Sequence, residues 1–180
     1  MSKQGYEWPD RKDFWEKACS RMQKPKGKIT FAAGNDAAQM LGAWQNWSRW
    51  GYEERGREIS HAGFVEAWME KCRSGTFLQV IGWDGVEPIA MVELRTIYDP
   101  LFGETTLYGD HAFVKKDYRY GGLMKQMVQY CIDLAEIMGM VKWLVPVTAG
   151  EDATAPFLKK VYEDFGFEVS GMTMKLDKVA

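Results

Sequence analysis

The segment AFVKKDYRYGGLMKQMVQYCIDLAEIM, Ala112 to Met138, changes period halfway along. Ala112-Phe113-Val114 closes a short apolar run of strand character. A polar stretch, Lys115 to Tyr118, leads into Arg119-Tyr120-Gly121-Gly122. Beyond the glycines, Leu123, Met127, Cys131 and Leu134 recur every three or four residues, and Met124, Val128, Ala135 and Met138 widen the stripe. This spacing predicts an amphipathic helix with one buried face. The unit is a strand, a glycine-containing turn and a helix N-terminus. Such a turn points unpaired backbone N–H groups outward at the positive end of the helix dipole. Glycine lets a ligand approach them, and the chemistry suits a pyrophosphate. A plain strand–helix connection uses the same residues, because a short glycine motif is weak evidence alone. The rest of the chain has to decide.

Downstream, Val141 to Val147 is a near-continuous apolar run, the pattern of a buried central strand. A loop over Thr148 to Thr154 precedes a helix over Ala155 to Phe165, with Pro156 in its first turn and Gly166 closing it. Phe167 to Ser170 and Met172 to Leu176 read as a final strand pair about Gly171. Upstream, Thr105 to Val114 is a strand. Thr76 to Trp83 and Pro88 to Tyr98 flank Asp84-Gly85 as a hairpin. Two helices come earlier. One runs from Ala37 to about Trp50 after the turn Gly34-Asn35-Asp36, and a loop over Gly51 to Gly56 follows it. The other, His61 to Arg73, is capped by Ser60. Lys28 to Ala33 is β-compatible. Asp10 can cap a further helix reaching about Met22, which Pro25 and Gly27 end.

Composition narrows the function. A chain of 180 residues suggests one domain with room for a core, and 46% hydrophobic with 27% charged residues is the balance of a soluble globular protein. A net charge of −2 exerts no global pull toward nucleic acid or anionic lipid, although a modified nucleobase stays open as a substrate. The basic stretch Arg21, Lys24, Lys26 and Lys28 reads as a solvated linker. Cys19, Cys72 and Cys131 are odd in number and far apart, with no disulfide or zinc spacing. They favour a reducing compartment, so a cytoplasmic protein is expected. His61 and His111 are the only histidines, which excludes a histidine-rich site, and no metal is predicted. No apolar run reaches membrane-spanning length and no signal-peptide core is visible.

The element order and two motifs resemble the Gcn5-related N-acetyltransferase (GNAT) family over about Lys28 to Leu176. That family's acyl-CoA motif is Arg or Gln, two residues, Gly, one residue, then Gly or Ala. Arg119-Tyr120-Gly121-Gly122-Leu123-Met124 is similar to it, with Met124 standing where the family has a small residue. The second motif, Phe157 to Phe167, resembles a late family helix whose Tyr lies four residues before a Gly-Phe pair. Tyr162 holds that place, while Ala155 stands where the family often has Asn. The resemblance implies an α/β fold: a mixed, mostly antiparallel central sheet flanked by helices, residues 28–180. Residues 1–27 would form an extra N-terminal helical extension, available to cover a sheet face or to contact a partner chain such as a second copy.

The resemblance further implies transfer of an acyl group, with acetyl expected, from acetyl-CoA to a primary amine without a covalent enzyme intermediate. Phe113 and Val114 would offer strand backbone to the pantetheine amides. Arg119, Tyr120, Gly121, Gly122, Leu123 and Met124 would surround the pyrophosphate, and Tyr162 would protonate the leaving thiolate. The residues leave the base open. Strand alternation sets Tyr108, Asp110, Ala112 and Val114 on one face and Leu107, Gly109, His111 and Phe113 on the other. Asp110, His111 and, on the preceding strand, Glu93 are candidates to take the amine proton, histidine because it titrates near neutrality. The acceptor, a small-molecule or protein amine, would meet the first two helices. There Trp44 and Trp47 read as packing, and Trp50 and Tyr52 as pocket candidates. A competing reading is a catalytically inactive GNAT-fold module that binds acyl-CoA or another protein.

Overall fold

The computed structural model describes residues 28–101, 103–119, 121–140, 142–145 and 155–168. In order they form β1 (Ile29–Gly34), α1 (Ala37–Arg55), α2 (His61–Arg73), β2 (Phe77–Asp84), β3 (Glu87–Asp99) and β4 (Glu104–Val114). A 3-10 turn (Lys116–Tyr118) follows, then α3 (Leu123–Ile137), β5 (Lys142–Leu144) and α4 (Ala155–Glu163). The expected helix near residues 10–22, the extension 1–27 to which it belongs, the loop 148–154 and the last strand from residue 172 lie outside the described residues. Phe167 and Glu168, read as the start of a strand, carry no strand pairing. The chain divides into two compact units, residues 1–145 and 146–180, with α4 in the second.

In the first unit the strands lie in the order β1-β2-β3-β4-β5. The first four pair antiparallel, and β5 joins β4 in parallel. This is the mixed, mostly antiparallel sheet flanked by helices that the sequence implies. One face is covered by α1 and α2. Gly42 on α1 lies so close that a Cβ there would come within 2.8 Å of the Trp83 ring. Ala43, Trp68, Phe77, Ile81, Met91 and Phe113 fill the core on that side. On the other face the predicted stripe of α3 is buried, Met127, Cys131 and Leu134 completely. The Tyr130 ring of α3 meets Phe31 of β1 at 5.3 Å. No helix among the described residues is long and apolar enough to cross a membrane.

One boundary moves by a turn and a half. The sequence placed the end of the first helix at Trp50, before Gly51. The helix continues to Arg55, and its stop is Gly56, at φ 61° in the left-handed conformation that glycine adopts without strain. Gly51 is instead a buried helical residue. A Cβ there would come within 2.7 Å of the Ile59 side chain and 2.9 Å of the Arg57 carbonyl. Gly51→Val is therefore expected to destabilise the protein by about 1–3 kcal/mol through overpacking. A lower urea midpoint with an unchanged slope would register it; an exposed loop glycine would show no such loss.

Candidate functional site

Two features of β4 shape the site. β5 covers only Thr106, Leu107 and Tyr108, so from Gly109 to Val114 the outer edge of β4 has no strand partner among the described residues. On its inner edge, Glu93 of β3 opposes His111 while the next residue, Leu94, opposes Gly109. Asp110 is therefore the extra residue of a β-bulge. The bulge overturns the simple alternation, which put Asp110 and His111 on opposite faces. Both turn to the side covered by α1 and α2. Asp110 Oδ2 lies 3.1 Å from Arg95 Nε, and His111 Nδ1 lies 3.4 Å from Glu93 Oε2. The Arg95 guanidinium stacks 4.7 Å from the Tyr108 ring.

Glu93 is 1% exposed, and both its oxygens are engaged. Oε1 accepts the Trp47 indole N–H at 2.9 Å, and Oε2 accepts the Lys71 ammonium at 2.5 Å. Burial acts to raise its carboxyl. The bond from His111, the charge and bond of Lys71 and the Trp47 indole outweigh that and hold it below the usual carboxylate range. Such a group stays ionised and anchors its neighbours, and a carboxyl held low is a poor acceptor for an incoming proton near neutrality. His111 has a half-exposed side chain and meets the Trp47 ring edge-on at 4.8 Å. With Nδ1 toward Glu93, its Nε2 is the nitrogen left for other chemistry. The sequence reading missed Lys71, although a lysine three residues after Trp68 sits on the apolar stripe of its helix, an unusual place for a solvated charge.

Past Val114 the chain bends sharply. The Lys115 N–H donates to the Ile89 carbonyl at 2.8 Å, and the Tyr118 hydroxyl donates to Asp84 at 2.8 Å. Arg119 Nε donates to the Val114 carbonyl at 2.9 Å. Its guanidinium also reaches Glu53 at 3.5 Å and pairs with Glu54, both in the last turns of α1. Tyr120 lies outside the described residues. Gly122 is the N-cap of α3 at φ 74°, and no side chain caps the helix. The first helical bond runs from the Gln126 N–H to the Gly122 carbonyl, so the N–H groups of Leu123 and Met124 have no carbonyl within the helix. Both side chains are buried. Met124 thus turns into the core and leaves the turn lined by backbone, and the space beside Gly122 is open. These residues fit a pyrophosphate. The Phe113 ring belongs to the core, so that residue can offer only its backbone edge.

The two acceptor candidates part company. Trp50 stacks edge-on against Trp47 at 5.0 Å and carries Arg55 on its ring at 5.1 Å. Tyr52, 74% exposed, lines a cleft of about 450 Å³ between α1 and the α1–α2 connection, with Trp44, Ser48, Glu53, Glu58 and Ile59. Arg49 borders the same cleft, and its charge is committed to Glu87 and to the Pro88 carbonyl.

In the second unit, Tyr162 is a buried residue of α4, its ring 5.3 Å from that of Phe167. The cysteines offer no activated thiol among the described residues. Burial pushes the thiols of both Cys72 and Cys131 above their ordinary value.

A family model described as acetyltransferase (GNAT) family matches residues 39–167. No curated protein sequence matches the chain significantly. Among solved structures, a possible acetyltransferase from Clostridium difficile 630 is similar, with TM-score 0.63 at 14% identity over 86% of this chain and 99% of its own. AAC(6')-Iy, solved in complex with the bisubstrate analog CoA-S-monomethyl-acetylneamine, gives 0.63 at 14% identity over 86% and 100%. A ribosomal-protein-alanine N-acetyltransferase from Brucella melitensis biovar Abortus 2308 gives 0.60 at 14% identity over 84% and 99%. At these identities the likeness is one of fold.

Proposed function

The chain belongs to the GNAT acetyltransferase family, and on that premise we propose that it is an acyl-CoA-dependent N-acyltransferase that moves acetyl from acetyl-CoA to a primary amine. The observation that carries this reading is the continuity between two open features. The edge of β4 that has no strand partner among the described residues leads, through one tight turn, to the N-terminus of α3, which no side chain caps. An extended, amide-bearing chain adds to such an edge as a strand does, and a pyrophosphate at its end meets the helix N–H groups. A fold neighbour solved with a CoA-containing analog supports the donor class.

In the transfer, the amine lone pair attacks the thioester carbon; the C–N bond forms and the C–S bond breaks. His111 Nε2 takes the proton that the nitrogen must lose. Glu93 holds the imidazole, and Asp110, fixed by Arg95, orients the amine. A backbone N–H beside the bulge polarises the carbonyl. The family resemblance, and not a contact in the structure, gives Tyr162 the role of protonating the departing thiolate. The cleft at Tyr52 suits a cationic amine: Trp44 and Tyr52 supply aromatic faces, and Glu58 has no ion-pair partner among the described residues. The free cysteines Cys72 and Cys131 support a reducing, cytoplasmic setting for the reaction.

The test is a thiol-release assay with acetyl-CoA across a panel of amines, paired with calorimetric titration of CoA. Tyr162→Phe is expected to lower kcat by about tenfold or more and to leave CoA affinity unchanged. An unchanged kcat removes Tyr162 from the transfer, and no CoA binding at millimolar ligand overturns the reading as a whole.

A further inference from the structure

We infer that Lys71 is a positioning residue for His111: from α2 it shares one carboxylate oxygen, Glu93 Oε2, with the imidazole, and so sets how tightly His111 holds its proton. The inference rests on the proposed role of His111, and it deepens that role.

The geometry is a three-element relay. Lys71 Nζ stands 2.5 Å from Glu93 Oε2, and His111 Nδ1 stands 3.4 Å from the same atom. The other oxygen, Oε1, accepts the Trp47 indole N–H at 2.9 Å. Two nitrogen donors thus share one oxygen, and the lysine has the shorter contact. Among the described residues, further groups belong to the same stretch of sheet. From β4 comes Asp110 and from β3 Arg95, which pair with each other at 3.1 Å. From α1 comes the uncharged Trp47 ring. From β2, opposite Glu93, comes Gln79, whose Oε1 is buried without a hydrogen-bond partner among the described residues and whose Nε2 reaches the Met91 sulfur.

The charge arithmetic follows. With Lys71 in place the Glu93 carboxylate is offset, and the imidazole sits beside a neutral pair. Without it, a buried negative charge keeps His111 as its cationic partner among the described residues, and protonated imidazole is favoured. A base that keeps its proton to higher pH serves less well at neutrality.

The experiment follows the imidazole signals of the intact protein by NMR against pH, without acyl-CoA. The chain has two histidines. A His61→Gln variant assigns them, and His61, which packs on Trp44, serves as the internal reference. In Lys71→Met the His111 midpoint is expected to move up by about one pH unit or more while His61 stays in place. The acid limb of kcat/KM should rise with it, and Lys71→Arg should restore both. In a Glu93→Gln background, Lys71→Met should move both by less, because only the direct repulsion between ammonium and imidazolium is then lost; an equal shift in the two backgrounds would overturn the coupling through Glu93. An unmoved His111 midpoint in a folded Lys71→Met protein overturns the inference. A midpoint that moves in a protein with no transferase activity keeps the relay and sinks the proposed function instead. If Lys71→Met fails to fold, Lys71→Gln reads the same midpoint.

Discussion

His111→Gln is expected to lower kcat by about 10²- to 10⁴-fold, the range that a well-placed general base contributes, with little change in CoA affinity. The reason is specific to the bulge. Asp110 adds one residue to β4, and that residue turns His111 to the face where Glu93 waits. The carboxylate faces Nδ1, so Nε2 is the nitrogen available to the amine. Glutamine keeps the size and a polar tip but has no atom that accepts a proton near neutrality. His111→Ala should show the same loss, recovered in part by added imidazole. Asp110→Asn separates the rival candidate: its carboxylate is paired with Arg95 and points along the same face, so its loss should raise KM for the amine more than it lowers kcat. If Asp110→Asn loses kcat and His111→Gln does not, the base is Asp110. Stopped-time thiol release at saturating acetyl-CoA measures both.

The division between what the sequence disclosed and what it did not has a physical cause. Elements written in strong periodicity, such as the stripe from Leu123 to Leu134 or the hairpin about Asp84-Gly85, appear where their spacing put them. So does the glycine turn, because an N-terminus without a capping side chain shows in the residues themselves. Failures occur where the decisive contact is made between distant residues. Gly51 and Gly56 are alike as letters. Only the approach of Ile59 shows that the first is a packing glycine and the second a stop. A bulge leaves no mark in strand alternation, so Asp110 and His111 were assigned to opposite faces. Lys71 lies 22 residues before its partner Glu93, and nothing local links them. Met124 illustrates the converse. It departs from the motif as a letter, yet a buried side chain makes it harmless to the turn.

Gly121→Glu is expected to weaken CoA binding by about 100-fold or more while the fold stays intact. Gly121 is exposed and precedes the N-cap. Its backbone has no positive φ, and a Cβ there would meet only the Tyr118 carbonyl, at 3.8 Å, an ordinary contact. Gly122 is a poorer choice because its φ of 74° would add strain to any side chain. A carboxylate at position 121 acts twice. It can reach the N–H groups of Leu123 and Met124, the donors assigned to the pyrophosphate, and its charge repels the phosphates. Losing two charge-assisted hydrogen bonds costs about 1.5–3 kcal/mol each, and about 2.7 kcal/mol already corresponds to 100-fold. The same carboxylate at a helix N-terminus should stabilise the free protein by about 0.3–1 kcal/mol. Affinity and stability should therefore move in opposite directions: calorimetry loses the CoA signal while the unfolding temperature holds or rises. Gly121→Ala, which adds bulk without charge, should bind nearly as well as the native chain. Retained tight binding by the Gly121→Glu protein would place the phosphates elsewhere. Loss of binding with a fallen unfolding temperature would point instead to a turn that needs its glycine for folding.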